Sequence, residues 1–362
     1  MTQGQDTDAR LDDARPPSRV TERLAALDVC RGLAILVVVF IHVSGHFLPA
    51  LHPARSAPYP GWWFLAVPNQ AAQWAVPCFL MLSALVNARS VAGGDLGRYA
   101  CRRLQTALLP YVFWSLFYVA VGVMINHQPR PGVHALLTLL QTGKAWYHLY
   151  FFVLVLEMYV LLPLLVPVFA RRPPFWAVAS GAALLQSGVY LLNRSVYLHS
   201  FQSTILWDIL PVALGLWLWS RPLPLPEVLK KALWPSLAVV VLGLAVYLPS
   251  AMAVQLHQPL NTAVYQFGQW GYAAGMSVFV LALSAALSAS RLSKVLAFLG
   301  AESLIIYVLH PLAILALDKR GINHHVGTGP GLIVYYAACL ALPLAAGWIW
   351  KKLGNTRLKN NS

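Results

Sequence analysis

The chain has 362 residues, 58% of them hydrophobic and only 10% charged, with a formal net charge of +14 and a mean hydropathy of +0.61. Soluble globular chains carry about 25% charged residues, so this composition excludes an ordinary water-soluble domain. Apolar stretches of about 20 residues, each long enough to cross a bilayer, recur along the whole length. The expected class is therefore an all-α, polytopic integral membrane helical bundle.

Taken in chain order, residues 1–26 come first. They open with "MTQGQDTDARLDDARPPSR", which is polar, mixed in charge and free of apolar periodicity. Such a segment reads as a disordered tail and lacks the short apolar core of a secretory signal. About ten transmembrane helices are then expected, at 27–48, 67–88, 104–125, 145–169, 174–193, 202–220, 232–252, 266–288, 296–317 and 329–350. Residues 27–350 thus read as one transmembrane domain, and 351–362 as a short tail.

The basic residues give the orientation. With the N-terminus cytoplasmic, the inside segments carry nineteen Lys and Arg and the outside segments six, leaving Arg31 within the first span. That bias satisfies the positive-inside rule and places both termini in the cytoplasm. It also accounts for the positive net charge as an orientation signal and a match to anionic lipid, so no nucleic-acid partner is expected. The four cysteines, Cys30, Cys78, Cys101 and Cys339, form neither a metal nor a redox spacing. Phosphate loops, dinucleotide fingerprints and convincing internal repeats are also missing from the sequence.

The first span holds "RGLAILVVVFIH", with ten residues between Arg31 and His42. Eleven steps of about 100° end about 20° past three turns, so the two side chains share a helix face, about 16 Å apart along the axis. Asp28 lies three residues before Arg31 on the same face. Further polar groups fall within later spans. His148 is near the outer end of the fourth, with Glu157 two to three turns deeper. Asp208 is six residues into the sixth, and His310 lies in the outer half of the ninth. His42, His148, Asp208 and His310 thus fall at similar depth. An ionisable group at membrane depth costs about 3 kcal/mol on insertion scales and marks a candidate site. The plainer reading stays beside it: Arg31 snorkels to the headgroups, and Asp208 and Glu157 pair within the bundle.

Neutral histidine removes a proton from a hydroxyl, and a carboxylate orients it. That chemistry suits acyl transfer to an alcohol. An arginine on the cytoplasmic side holds phosphates, so an acyl thioester of coenzyme A fits in outline, its anionic end near Arg31 and its carbonyl at His42.

Several stretches resemble the membrane acyltransferase-3 family. "LDVCRGLAILVVVFIH" is similar to that family's first helix, in which a basic residue, ten residues and a histidine recur, matched here by Arg31 and His42. "VPCFLMLSALV" resembles its second helix, with Ala84 where Gly is usual. "RRLQTALLPYVFWS" resembles the basic stretch before its third helix, through Arg102, Arg103 and Pro110. "YHLYFF" carries His148, and "GAESLIIYVLHPL" carries Ser303, Tyr307 and His310. The resemblance implies a membrane O-acyltransferase that moves an acyl group, usually acetyl, from cytoplasmic acyl-CoA to a hydroxyl. The acceptor would be a glycan or lipid-linked glycan outside a bacterial inner membrane.

It further implies His42 as general base and Arg31 as a donor-side residue. Beside these, His148, His310 and Asp208 are expected to complete the catalytic set with them, and Arg102 and Arg103 to hold the donor with Arg31. Tyr307, Ser303 and Glu157, the last where the family has a small or apolar residue, are expected to hold the acceptor. A histidine-bound acyl intermediate is equally compatible, and for Tyr307 so is a plain interhelical hydrogen bond. Acyl-CoA, by the family's habit acetyl-CoA, is expected as co-substrate, with no metal and no permanently bound cofactor. The rival reading is a proton-coupled transporter or flippase, since buried histidines and carboxylates also form proton relays.

Overall fold

The computed structural model describes residues 19–52, 58–196, 204–221, 225–287, 290–322 and 328–360. Among these, every regular element is a helix. That follows from the composition: in lipid, each backbone N–H and C=O must be satisfied within its own segment.

Helix α1 (Arg19–Leu51) is the buried axis of the bundle. Val29, Cys30, Ala34, Ile35 and Val39 along it are fully buried. A helix apolar on all sides belongs inside, and α1 packs against six others introduced below. Next come α2 (Pro60–Ala71) and α3 (Ala75–Ala92), a single run broken by a turn at 72–74. Helix α4 (Leu96–Arg103) passes through a π-helical turn, Leu104–Leu108, into α5 (Leu109–Ile125). A ten-residue helix with no buried residue, α6 (Val133–Thr142), precedes α7 (Tyr150–Ala170) and α8 (Phe175–Val196). A 3-10 turn (Ile205–Asp208) leads into α9 (Ile209–Trp219). The chain closes with α10 (Leu225–Gln255), α11 (Thr262–Leu287), α12 (Arg291–Ala301), α13 (Ser303–Lys319) and α14 (Thr328–Asn360). The neighbours of α1 are α2, α3, α11, α12, α13 and α14.

Among the described residues, eight helical runs are long and apolar enough to cross a membrane, or nine if the bent pair α12–α13 is one span. Ten were expected, and two of those segments account for the difference. The expected sixth span is only Ile205–Trp219, which reaches about 22 Å at 1.5 Å per residue. The expected ninth is bent by 72° between α12 and α13, at Glu302, whose carboxylate pairs with Lys351 of α14. The tails also differ from expectation. Residues 1–18 lie outside the described residues, but α1 is already helical from Arg19, and α14 stays helical to Asn360.

Helices α1 and α12 cross beside the Asp28–Arg31 pair. Gly32 faces the Leu296 backbone, and Gly300 faces the Asp28 backbone. A Cβ on either glycine would overlap a carbonyl oxygen. Small residues that let backbones approach are the usual adhesive between membrane helices, where lipid removes the hydrophobic drive for association. Large apolar side chains instead face outward, among them Phe64, Trp176, Trp234 and Trp350.

Candidate active site

Helix α1 is fixed at the level of His42 by its neighbour α2. The Asn69 amide donates to the Ile41 carbonyl at 3.0 Å and to Ser44 Oγ at 2.8 Å. Ser44 Oγ in turn bonds back to the Phe40 carbonyl at 2.5 Å. Two acceptors beside His42 thus take hydrogen bonds across a helix interface, which sets the rotation of α1.

Three imidazoles meet there. The His42 and His310 rings stack with centroids 5.1 Å apart and 26° between planes. His148 meets His310 edge-on at 5.6 Å. His148 stands in the turn before α7, not within a helix as the sequence suggested. Tyr307 holds that turn by donating its hydroxyl to the His148 carbonyl, and its ring lies 5.2 Å from the His148 ring. Tyr118 packs on the other side of His148 at 5.0 Å.

His148 and His310 are fully buried. His310 Nδ1 lies 3.1 Å from the Ile306 carbonyl, one turn back on α13. That bond makes Nδ1 the donor, so Nε2 carries the lone pair. Nε2 of His310 and both ring nitrogens of His148 have no hydrogen-bond partner among the described residues. Buried polar atoms are rarely left so, yet among the described residues neither His148 nor His310 lines a cavity; within the cluster it is His42 and Tyr307 that do.

The open space lies on the His42 side of the cluster. A chamber of about 640 Å³ is lined by His42, Tyr307, Tyr150, Asp208, Arg194 and Trp270, among others. A second chamber of about 540 Å³ is lined by His42, His46, Tyr147, Asn69 and several glutamines. Ile41, His42, Gln73, Tyr265 and Gln269 line both, so His42 stands where the two lobes meet.

A family model described as an acyltransferase domain matches residues 24–349, nearly the whole chain. The chain belongs to the acyltransferase-3 family. It is a multi-pass membrane acyltransferase. No curated protein and no solved structure matches it.

Within this acyltransferase the remaining sequence candidates divide. Asp208 shares the larger lobe with His42 and Tyr307. Glu157 lines neither lobe. Its Oε2 accepts the Ile205 N–H at 2.6 Å, so it caps the 3-10 turn that carries Asp208. The sequence placed it at the acceptor; the fold gives it the role of holding the turn. Ser303 is the first residue of α13, about 10 Å along the helix from His310. It too lines neither lobe.

The arginines sit on two different helices. Arg31 pairs with Asp28 at 3.1 Å, and the lobes lie toward the other end of α1. Arg102 is exposed, while Arg103 lies over the Tyr99 and Tyr159 rings, 5.2 and 4.9 Å from their centroids. Helix α4 packs on α3 and α7, and α3 is the helix that both α1 and α4 touch.

Sequence reasoning missed Tyr147, whose ring lies 4.8 Å from that of His42, and Asn69, which positions the helix. A weak signal existed for each. Tyr147 adjoins His148 in "AWYHLY", and an Asn-Gln pair inside an apolar run, Asn69–Gln70, needs buried partners.

Proposed function

We propose that this acyltransferase moves an acetyl group from acyl-CoA to a hydroxyl of an extracytoplasmic glycan or lipid-linked glycan, with His42 as general base. The observation that carries the reading is the position of His42. It is stacked on His310, and it is the imidazole that stands on the wall of both lobes.

The acceptor hydroxyl oxygen attacks the thioester carbonyl while His42 takes its proton. The carbon–sulfur bond breaks, the thiolate leaves, and the His42 proton passes to sulfur. The products are an ester and free coenzyme A. His310 supports the His42 ring by stacking from behind, itself fully buried. His148 and Tyr307 form the floor of the cluster. Asp208 lines the larger lobe, into which the rest of the acceptor extends past His42. On the opposite side of the membrane, Arg31, Arg102 and Arg103 meet the phosphates of the donor. This orientation, with both termini cytoplasmic, rests on the bias of basic residues between the two sets of loops, counted with Ile205–Trp219 and the bent α12–α13 pair each as one crossing. The bacterial inner membrane rests on the family resemblance.

The test uses purified protein in lipid nanodiscs, radiolabelled acetyl-CoA and a crude glycolipid extract. Wild type is expected to transfer label to lipid-linked sugar, and His42→Ala to lose transfer by about 10²–10⁴-fold. Absence of both transfer and acetyl-CoA binding in wild type overturns the reading in favour of a transporter.

A further inference from the structure

One polar group in the smaller lobe takes no part in the chemistry above. His46 lies one turn beyond His42 on α1, about 6 Å along the axis, and lines the smaller lobe with it. Its Nε2 is 3.1 Å from Asp318 Oδ1, at the far end of α13. Tyr335 of α14 donates to the same carboxylate oxygen at 2.6 Å. The Tyr335 ring also stacks on the His46 ring, with centroids 5.4 Å apart and 17° between planes. Three helices therefore hold one imidazole in a single orientation.

The arrangement selects a tautomer. A carboxylate only accepts, so His46 Nε2 carries a proton, and in the neutral ring Nδ1 carries the lone pair. The imidazole thus offers an acceptor, as His42 does one turn away.

The rest of the lobe has matching chemistry. Asn69, Gln70, Gln73, Gln255 and Gln269 line it, and none of its lining residues is Asp, Glu, Lys or Arg. Each amide presents both a donor and an acceptor edge. Part of this wall is pre-ordered: Gln70 donates to Asn69 Oδ1 at 3.1 Å, Tyr247 donates to Gln70 Oε1 at 3.2 Å, and Gln73 donates to the Asn69 carbonyl at 3.2 Å. A wall of fixed amides with two aromatic rings, Tyr147 and Tyr265, suits a neutral ligand with many hydroxyls. The larger lobe differs, because it carries Arg194 and Asp208.

We propose that the smaller lobe is the subsite for a neutral polyhydroxyl ring of the acceptor, and that His46, held by Asp318 and Tyr335, accepts a hydrogen bond from one of its hydroxyls while a second hydroxyl faces His42. This rests on the acyl-transfer reading only for what happens at His42; recognition itself needs no donor. His46 is then a specificity-determining residue. It makes a polyol a better ligand than a simple alcohol, since a site built to hydrogen-bond hydroxyls is left unsatisfied by a ligand that lacks them.

The experiment compares two probes that share an alkyl tail. Octyl β-D-glucopyranoside, below its micellar concentration, and 1-octanol are each titrated against the full chain in lipid nanodiscs, with empty nanodiscs subtracted. Wild type is expected to bind the glucoside at least about tenfold more tightly than octanol. In His46→Ala and Asp318→Ala that ratio should fall below about threefold, with octanol binding unchanged. His46→Phe, which keeps a ring against Tyr335 and removes both nitrogens, gives the same reading if the smaller side chain fails to fold.

Equal binding of the two probes by wild type overturns the proposal. So does a preference that survives in both variants. Acyl transfer followed in the same samples separates the two ideas. Selective binding without transfer in wild type removes the chemistry and leaves the subsite. Transfer without selectivity removes the subsite and leaves the chemistry.

Discussion

The His42 and His310 rings, carried by α1 and α13, stack with their centroids 5.1 Å apart. The contact couples the base to a ring whose Nδ1 is already committed to the Ile306 carbonyl. Replacing His310 by Phe preserves a ring against His42 and removes both nitrogens. Folding should be retained and acyl transfer should fall by about 10²-fold. Turnover equal to wild type would show that His310 only packs.

Glu157 is expected to act through the 3-10 turn. Glu157→Ala leaves the Ile205 N–H without its acceptor, at a cost of about 1–3 kcal/mol. Glu157→Gln keeps a carbonyl oxygen there and should cost less. Because Asp208 sits at the other end of the same turn, the alanine variant should also raise the acceptor KM. Melting curves and acceptor titrations on the two variants check both statements.

Gly32→Ala and Gly300→Ala should each destabilise the crossing of α1 and α12. The added methyl meets a backbone carbonyl, which cannot rotate away as a side chain would. Overpacking of this kind costs about 1–3 kcal/mol. Loss of the monodisperse peak on heating, followed by fluorescence-detected size exclusion, should occur at lower temperature for both. An unchanged profile would mean that the helices separate freely there.

Arg102 and Arg103 should separate stability from donor binding. Arg103→Ala removes a cation from over two tyrosine rings, worth about 0.5–2 kcal/mol. Arg102→Ala touches an exposed side chain and should leave the melting temperature unchanged. Both should raise the KM for acyl-CoA. If Arg102→Ala leaves that KM as it is in wild type, the donor phosphates are held elsewhere.

Much of the membrane architecture was legible in the sequence because hydropathy is a local property. Any window apolar enough to enter lipid must be helical there. The spans around α1, α5, α7, α10 and α11 lie close to where the apolar runs place them. The departures come where a run is apolar but not straight. Residues 296–317 read as one span by hydropathy, yet the helix breaks at Glu302, whose carboxylate pairs with Lys351 on another helix. Hydropathy is also blind to His148 lying in a turn, since the aromatic residues around it are as apolar as those inside α7.

For the site, the sequence by itself determined that Arg31 and His42 share one helix face, since that follows from 3.6 residues per turn. It also determined which ionisable groups reach membrane depth. Only the tertiary structure decided which of them meet. His42, His148 and His310 converge because α13 and the turn before α7 pack beside α1, whereas Glu157 is turned to a backbone N–H and the Arg102–Arg103 pair stays on a helix across α3. His46 reads on its own as one more polar residue at a helix end. It becomes a held acceptor only through Asp318 and Tyr335, on two other helices. Depth along a helix is a sum over local residues, but the choice of neighbour is set by packing between segments far apart in the chain, and no local pattern encodes it.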